Sequence, residues 1–119
     1  MKRPLRSMLV LAALVLGALA AVQGLQALSA DRVGAQVAAS ARPGDIQMVS
    51  SLTCVYCAQA RAWFTEHRVP FGECYIERDE PCAVAYRALL SPGTPVLVVR
   101  GQVQRGFSAR AVARALQAG

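Results

Sequence analysis

Short apolar runs, separated by polar turns, follow a long uncharged segment at the start of this chain. No charged residue lies between Met8 and Leu28. From Asp45 onward the apolar runs have the length of strands, and Ile46–Ser50 is the first of them. Val96–Val99 is apolar throughout, which suits a strand that is covered on both faces. The stretches between these runs carry apolar residues at three- and four-residue spacing, which predicts helices.

The predicted element order is β-α-β-α-β-β-α, an α/β domain. The predicted strands are 46–50, 71–76, 96–99 and 103–107, and the predicted helices are 55–67, one that opens at 79–81, and 109–117. A parallel strand–helix–strand unit followed by a hairpin and a helix gives a layered domain. We therefore expect a small mixed four-stranded sheet flanked by three helices.

The first residues have the pattern of a targeting segment. Lys2, Arg3 and Arg6 precede the apolar run, as in a secretory signal or a membrane anchor. Ala18–Ala20 offers a small-x-small cleavage site, whereas the whole run 8–28 just reaches the roughly 20 residues that span a bilayer. The sequence leaves both readings open, and both place the rest of the chain beyond the membrane, because the positive end stays inside.

Three segments follow from this pattern: a signal peptide or anchor at 1–28, an Ala- and Ser-rich linker at 29–44, and a folded domain at 45–119. The 119 residues suffice for one small domain. The net charge is +6, but residues 43–119 carry eight arginines against six acidic residues. These arginines are scattered, which gives no nucleic-acid footprint.

A Cys-x-x-Cys motif, Cys54 to Cys57, lies between the first predicted strand and the first predicted helix of this domain. There the free backbone N–H groups and the positive end of the helix dipole stabilise a thiolate. A motif in this context is typical of a dithiol redox site. We expect Cys54 to attack a substrate disulfide and Cys57, one turn further, to resolve the mixed disulfide. A redox-inactive structural disulfide is the alternative, but a disulfide that closes so short a loop would stabilise the fold little.

Cys74 and Cys82 form a second candidate pair, at the end of the second strand and the start of the next helix. Outside the cytosol two further cysteines usually pair, so a structural disulfide is expected and a second redox-active pair is the alternative. A zinc site that uses all four cysteines is not favoured, because the second spacing is C-x7-C and not C-x2-C. No metal is predicted.

The element order, with Cys54-x-x-Cys57 after the first strand and Thr94-Pro95-Val96 before the third, resembles the glutaredoxin branch of the thioredoxin fold. The resemblance covers nearly all of 45–119. It implies thiol–disulfide oxidoreductase activity, a cis Thr94–Pro95 peptide bond and a groove beside the cysteines where a substrate chain pairs with the backbone of Thr94. The residues expected to bind substrate are Tyr56, Thr94, Pro95, Gly106 and Phe107.

The chain departs from typical glutaredoxins at three places. Val55 replaces a proline between the cysteines, Ser51–Thr53 contains no lysine before the motif, and Gly106-Phe107 stands where paired glycines are usual. The last feature is similar to small redoxins that a protein partner reduces. We therefore expect no tightly bound cofactor and a protein electron donor, with glutathione as a possible but less favoured reductant.

Four other residues have structural interpretations. His67 ends a helix, where a cation interacts favourably with the dipole, and Trp63 and Phe64 are expected in the core. Arg61 is expected on a solvated helix face, although it lies one turn beyond Cys57 and is able to meet an anionic substrate.

The sequence thus predicts a thiol–disulfide oxidoreductase that acts on disulfide-containing proteins in the periplasm or an equivalent exported space. If the leader is uncleaved, residues 8–28 anchor it to the inner membrane. The alternative is a redox-inactive thioredoxin-fold module that uses the same groove to hold a partner protein.

Overall fold

A computed structural model describes residues 2–118 of the chain, so Met1 and Gly119, the ends of the predicted segments, lie outside the described residues. The chain forms two compact units, which divide after Arg32. The first helix, α1, runs from Lys2 to Ser40 and contributes to both units.

The first unit consists of the apolar part of α1. Its large apolar side chains, from Leu5 to Leu28, are each more than half exposed. By length and composition the helix is able to cross a membrane. An N-terminal apolar helix, as the sequence predicts, is therefore present.

The second unit has the predicted order of elements. After α1 these are β1 (Ile46–Ser50), α2 (Val55–Glu66), β2 (Gly72–Tyr75), α3 (Glu80–Ala88), β3 (Val96–Val99), β4 (Gln102–Arg105) and α4 (Ala109–Ala118). The strands lie in the order β2-β1-β3-β4, where β1 and β2 are parallel and the other pairs are antiparallel. The predicted fold class, a mixed four-stranded sheet with flanking helices, is confirmed.

Strand β4 ends two residues before the predicted boundary. Gly106 adopts a φ of +89°, which takes the chain out of extended geometry, and its N–H donates to the carbonyl of Pro95 at 2.9 Å. Phe107 consequently leaves the strand, and Ser108 caps α4 by accepting a hydrogen bond from the N–H of Ala111 at 3.3 Å.

The main core lies between the sheet and the helices. It contains Phe64 of α2, Ile46, Met48, Leu97 and Val99 of the central strands, and Val112 and Leu116 of α4. The last turns of α1 and the residue after them also pack here: Val37 is completely buried, and Val33, Ala38 and Ala41 contact the same cluster. Part of the predicted linker therefore continues α1 and contributes to the core of the second unit.

His67 is the C-cap residue of α2. Its ring packs on Trp63, with 4.6 Å between the ring centroids. A Cβ at Gly34 would fall into the His67 ring, so only glycine allows this approach between the end of α1 and the end of α2. The imidazole is half-buried, and we assign it a packing role.

Candidate active site

The Cys-x-x-Cys motif begins at the N-cap of α2. Cys54 has an extended backbone, with φ −90° and ψ 109°, and its Sγ accepts a hydrogen bond from the N–H of Cys57 at 3.0 Å. The two residues are disulfide-bonded, and their Cα atoms lie 5.2 Å apart. The sequence produces this arrangement because β1 ends at Ser50 and a short turn leads directly into a helix, which leaves the first N–H groups of α2 without intrahelical acceptors.

The two sulfurs differ in their access to solvent. Cys57 is completely buried, whereas Cys54 is half-buried. Val55 and Tyr56, between them, are 67% and 68% exposed. An incoming disulfide therefore meets Cys54 first, and Cys57 lies behind it within bonding reach.

A groove of about 290 Å³ contains all five residues that were expected to bind substrate. It is lined by Tyr56, Gln59, Thr94, Pro95, Gly106 and Phe107. The Thr94–Pro95 bond is cis, as the resemblance implied. The side chain of Gln59 was not predicted here, although it lies three residues after Tyr56 and therefore shares its face of α2. Whether these residues bind substrate stays a prediction.

Phe107 connects the groove to the core. Its ring lies 5.5 Å from Trp63 and 5.4 Å from Phe64, measured between centroids. It is half-buried, so this one side chain packs against the core and also forms part of the groove wall. No charged side chain lines the groove among the residues that the structure describes.

Arg61 lies one turn beyond Cys57 but makes an ion pair away from the groove. Its guanidinium donates two hydrogen bonds of 2.8 Å to the carboxylate of Glu73. Ser50 and Tyr75 donate to the same carboxylate, at 2.7 and 3.0 Å. Arg61, expected on a solvated helix face, is 36% exposed and is paired, because β2 brings an acidic partner beside it.

This network shifts the pKa values of both ionisable partners, Glu73 and Arg61. Burial alone would raise the pKa of Glu73, but the hydrogen bonds from Arg61, Ser50 and Tyr75 outweigh it, and the pKa of the carboxyl lies below its ordinary value. The hydrogen bond with Glu73 is the main cause of the raised pKa of Arg61. The pair is ionised throughout the neutral range, so it contributes a fixed charge arrangement and no proton-transfer group.

The turn between β1 and Cys54 is attached to a second carboxylate, that of Glu77. The hydroxyl of Ser51 and the N–H of Leu52 both donate to this carboxylate, the latter at 3.2 Å. The hydrogen bond from Ser51 is the largest cause of the lowered pKa of Glu77. Sequence reasoning missed this residue because it lies 25 positions from Leu52.

Cys74 and Cys82 form the second disulfide, with 6.0 Å between their Cα atoms. Cys82 is buried and packs against Val49 and Val96, which lie on the central strands. A structural role for this disulfide stays a prediction. Within residues 2–118 no group of histidine, cysteine, aspartate or glutamate side chains is arranged to hold a metal ion.

Comparisons with known proteins agree with this geometry. Residues 46–104 match the glutaredoxin family model. No curated protein sequence matches the chain.

Several solved structures are similar to the second unit. A mutant of a thioredoxin-like protein superposes with a TM-score of 0.54 at 21% identity, covering 62% of this chain and 96% of that one. The glutaredoxin-like NrdH-redoxin from Escherichia coli gives 0.52 at 22% identity, with 58% and 91% covered. The glutaredoxin from Archaeoglobus fulgidus gives 0.51 at 16% identity, with 61% and 86% covered.

At these identities the structural likeness establishes the fold, and the family match covers the cysteine pair, the cis-proline and four of the six residues that line the groove. Residues 46–104 are thus a glutaredoxin family-model domain with a thioredoxin-like glutaredoxin fold, and an apolar helix precedes them in the chain.

Proposed function

We propose that this protein is a thiol–disulfide oxidoreductase that exchanges disulfides with proteins beyond the cytoplasmic membrane. The observation that carries the proposal is the position of Cys54 at the N-cap of α2, next to an uncharged groove and in front of the buried Cys57. N–H groups at a helix start stabilise a thiolate, which is the attacking form in disulfide exchange.

The reaction runs in two exchanges. The Cys54 thiolate attacks one sulfur of a substrate disulfide, so a Cys54–substrate bond forms, the substrate S–S bond breaks, and one substrate sulfur leaves as a thiolate that takes a proton from solvent. Cys57, deprotonated, then attacks the Sγ of Cys54 and releases the second substrate sulfur. The substrate gains two electrons, and the protein is left with the Cys54–Cys57 disulfide.

A dithiol protein is the electron donor that we propose. One thiol of the donor attacks the Cys54–Cys57 disulfide to form a mixed disulfide, and the second thiol of the donor then resolves it. Cys54 and Cys57 become thiols and the donor becomes a disulfide, and no tightly bound cofactor takes part. The uncharged lining of the groove and the engagement of Arg61 by Glu73 support this donor over glutathione, whose carboxylates need positive partners. NrdH-redoxin, one of the structural neighbours, is described as having a thioredoxin-like activity profile.

The N-terminal helix supports the proposed location. Lys2, Arg3 and Arg6 before an uncharged run favour retention of the N-terminus on the cytoplasmic side, which supports a location of the second unit in the periplasm or an equivalent space. Two disulfides in one small domain suit an oxidising compartment. The helix then serves as a signal peptide, if it is cleaved, or as an inner-membrane anchor.

Single-cysteine variants test the function. With a dithiol donor and a disulfide-bonded protein substrate, we expect turnover by the wild type and none by Cys54→Ser. Cys57→Ser should accumulate a covalent mixed disulfide with the substrate, visible by non-reducing electrophoresis. Unchanged turnover by Cys54→Ser would refute Cys54 as the attacking thiol. A wild type that binds partners without any exchange would be a binding module, and the proposal would be wrong.

A further inference from the structure

The loop that carries Cys54 into the active site has little packing of its own. Leu52 is 48% exposed, and Thr53 is exposed as well. Within the loop, the N–H of Cys54 donates to the carbonyl of Ser51 at 3.3 Å. Between its two ends, in β1 and at the N-cap of α2, the loop is attached to the rest of the unit through Glu77, whose two carboxylate oxygens accept from the Ser51 hydroxyl and the Leu52 N–H. A loop held in this way keeps its position only as long as the carboxylate keeps its own.

Glu77 lies in a tight turn after β2. The N–H groups of Arg78 and Asp79 both donate to the carbonyl of Tyr75 at 3.1 Å, and Ile76 donates to the carbonyl of Ser50 at 3.0 Å. The Cys74–Cys82 disulfide encloses this turn and joins its two ends. Cys82 is in turn fixed in the cluster with Val49 and Val96.

We infer that Glu77 is a positioning residue for Cys54 and that the Cys74–Cys82 disulfide holds Glu77 in place. An external dithiol that donates two electrons to the second disulfide opens it to two thiols, releases the turn and thereby loosens the loop in front of the first pair. The consequence for catalysis rests on the proposed function, whereas the coupling between the disulfide and the loop does not.

Chain entropy gives the physical reason. With the disulfide closed, the turn that contains Glu77 is tied at both ends, so the carboxylate samples few positions. With the disulfide open, the turn has only its backbone hydrogen bonds, and hydrogen bonds at exposed positions contribute little each. The two acceptors of Glu77 are then less often in reach of Ser51 and Leu52.

Amide hydrogen exchange at Leu52 measures this coupling directly. The full-length protein in detergent micelles, with Cys54 and Cys57 oxidised, is compared as wild type, Glu77→Ala, and the Cys74→Ser/Cys82→Ser double variant. We expect the Leu52 amide to exchange about three- to tenfold faster in both variants. The exchange rate of the Leu97 amide of β3 should change only as much as the change in global stability accounts for. The triple variant should exchange no faster than Glu77→Ala, because both changes act through the same contact.

Glu80→Ala is the matched control. Glu80 is an exposed carboxylate three residues further on, and it pairs with Arg87 at 3.3 Å. Its removal should leave the exchange of Leu52 unchanged. Glu77→Gln, which keeps one acceptor oxygen, should lie between the wild type and Glu77→Ala.

Turnover of a disulfide substrate provides the second readout. We expect kcat/KM to fall about three- to tenfold in Glu77→Ala and in the double variant, without additivity in the triple variant. If the double variant melts at a lower temperature but keeps the wild-type exchange rate at Leu52, the disulfide is only structural and the inference is overturned. Wild-type turnover by Glu77→Ala would overturn the positioning role. A wild type with no turnover would refute the proposed function, and the exchange data would still decide the coupling.

Discussion

The Arg61 guanidinium forms a two-bonded ion pair with the Glu73 carboxylate, in which Nε and one terminal nitrogen each donate to a carboxylate oxygen at 2.8 Å. The pair joins α2 to the edge strand β2, and Ser50 at the end of β1 donates to the same carboxylate. The active-site helix and the strand that precedes the motif are thus attached to one acidic side chain, which is 12% exposed.

Replacement of Glu73 by Gln is expected to destabilise the fold. Arg61 loses its charged partner, and the pair is only partly buried, so the free energy of unfolding at pH 7 should fall by about 1–2 kcal/mol. Chemical denaturation measures this change. Glu66→Gln, at an exposed position of the same helix, is the control and should change stability by less than about 0.5 kcal/mol.

The effect of Glu73 should disappear at low pH. Its folded-state pKa lies below its ordinary value, so the folded state favours the ionised form. The stabilisation is complete above the unfolded-state pKa, about 4.3, and is lost as the pH falls through the lower folded-state pKa. The stability difference between wild type and Glu73→Gln should therefore be constant above about pH 5.5 and shrink below about pH 4. A difference that grows on acidification would contradict the assignment.

Glutathione is expected to be a poor reductant. Arg61 is held by Glu73, and the groove lining is uncharged, so the carboxylates of glutathione find no cation there. The loss of one charge-assisted contact corresponds to about tenfold in affinity. We expect kcat/KM for a dithiol protein to exceed that for glutathione by at least about tenfold.

Gln59→Lys tests the reason for this preference, because it places a cation in the groove. Glutathione turnover should increase severalfold, whereas turnover with the dithiol protein should change little. Gln59→Met, of similar length and without charge, is the control. Efficient turnover of the wild type with glutathione alone would show that the missing cation does not matter.

The parts of the site that could be predicted are those formed by residues that are adjacent along the chain. A strand, a Cys-x-x-Cys and a helix follow one another directly, so the N-cap position of Cys54 can be predicted without knowing any distant contact. The same holds for Thr94-Pro95, which directly precedes β3. Gln59 was missed because a polar residue on a helix has no distinctive pattern.

The remaining contacts depend on tertiary structure. Glu73 meets Arg61 only because β2 pairs in parallel with β1, a register that single-sequence periodicity does not determine. Glu77 reaches Leu52 for the same reason. Val37 lies in an Ala- and Ser-rich stretch that has the composition of a linker, and its burial becomes visible only when the core is assembled.

Cys54 is expected to be the more reactive thiol of the reduced pair. Cys57 is completely buried, whereas Cys54 is half-buried and lies at the helix start. In a Cys74→Ser/Cys82→Ser background, which leaves two thiols, alkylation at mildly acidic pH should modify Cys54 at least about tenfold faster than Cys57. Peptide mass spectrometry measures both rates. Equal rates would count against Cys54 as the attacking thiol.

Val37 is expected to stabilise the second unit although it belongs to the N-terminal helix. Its side chain is fully buried in the main core, and the removal of two methyl groups leaves a cavity. Val37→Ala should lower the free energy of unfolding by about 2 kcal/mol. Val103→Ala, at a position 41% exposed on β4, should cost less than about 0.5 kcal/mol. Equal losses in the two variants would mean that α1 contributes no core packing.

The N-terminal charges are expected to determine the orientation of the chain in the membrane. Lys2, Arg3 and Arg6 lie on one side of the apolar run, and the first charges beyond it are Asp31 and Arg32, which cancel. Positive residues stay on the cytoplasmic side. A phosphatase that is active only after export, fused to the C-terminus, should therefore be active in the wild type.

Charge reversal tests the cause of this orientation. Exchange of Lys2, Arg3 and Arg6 for Glu removes the asymmetry, so phosphatase activity should fall several-fold, and a reporter active only in the cytoplasm should gain activity. Arg32→Glu changes one charge on the far side of the run and is expected to leave export unchanged, because acidic residues contribute little to orientation.

The mass of the exported protein then separates the two roles of the helix: a chain shortened near Ala20 was processed as a signal peptide, and an intact chain in the membrane fraction is anchored. An inactive phosphatase in the wild type, with the fusion present in full length, would place the cysteine pair in the cytoplasm and refute the proposed location.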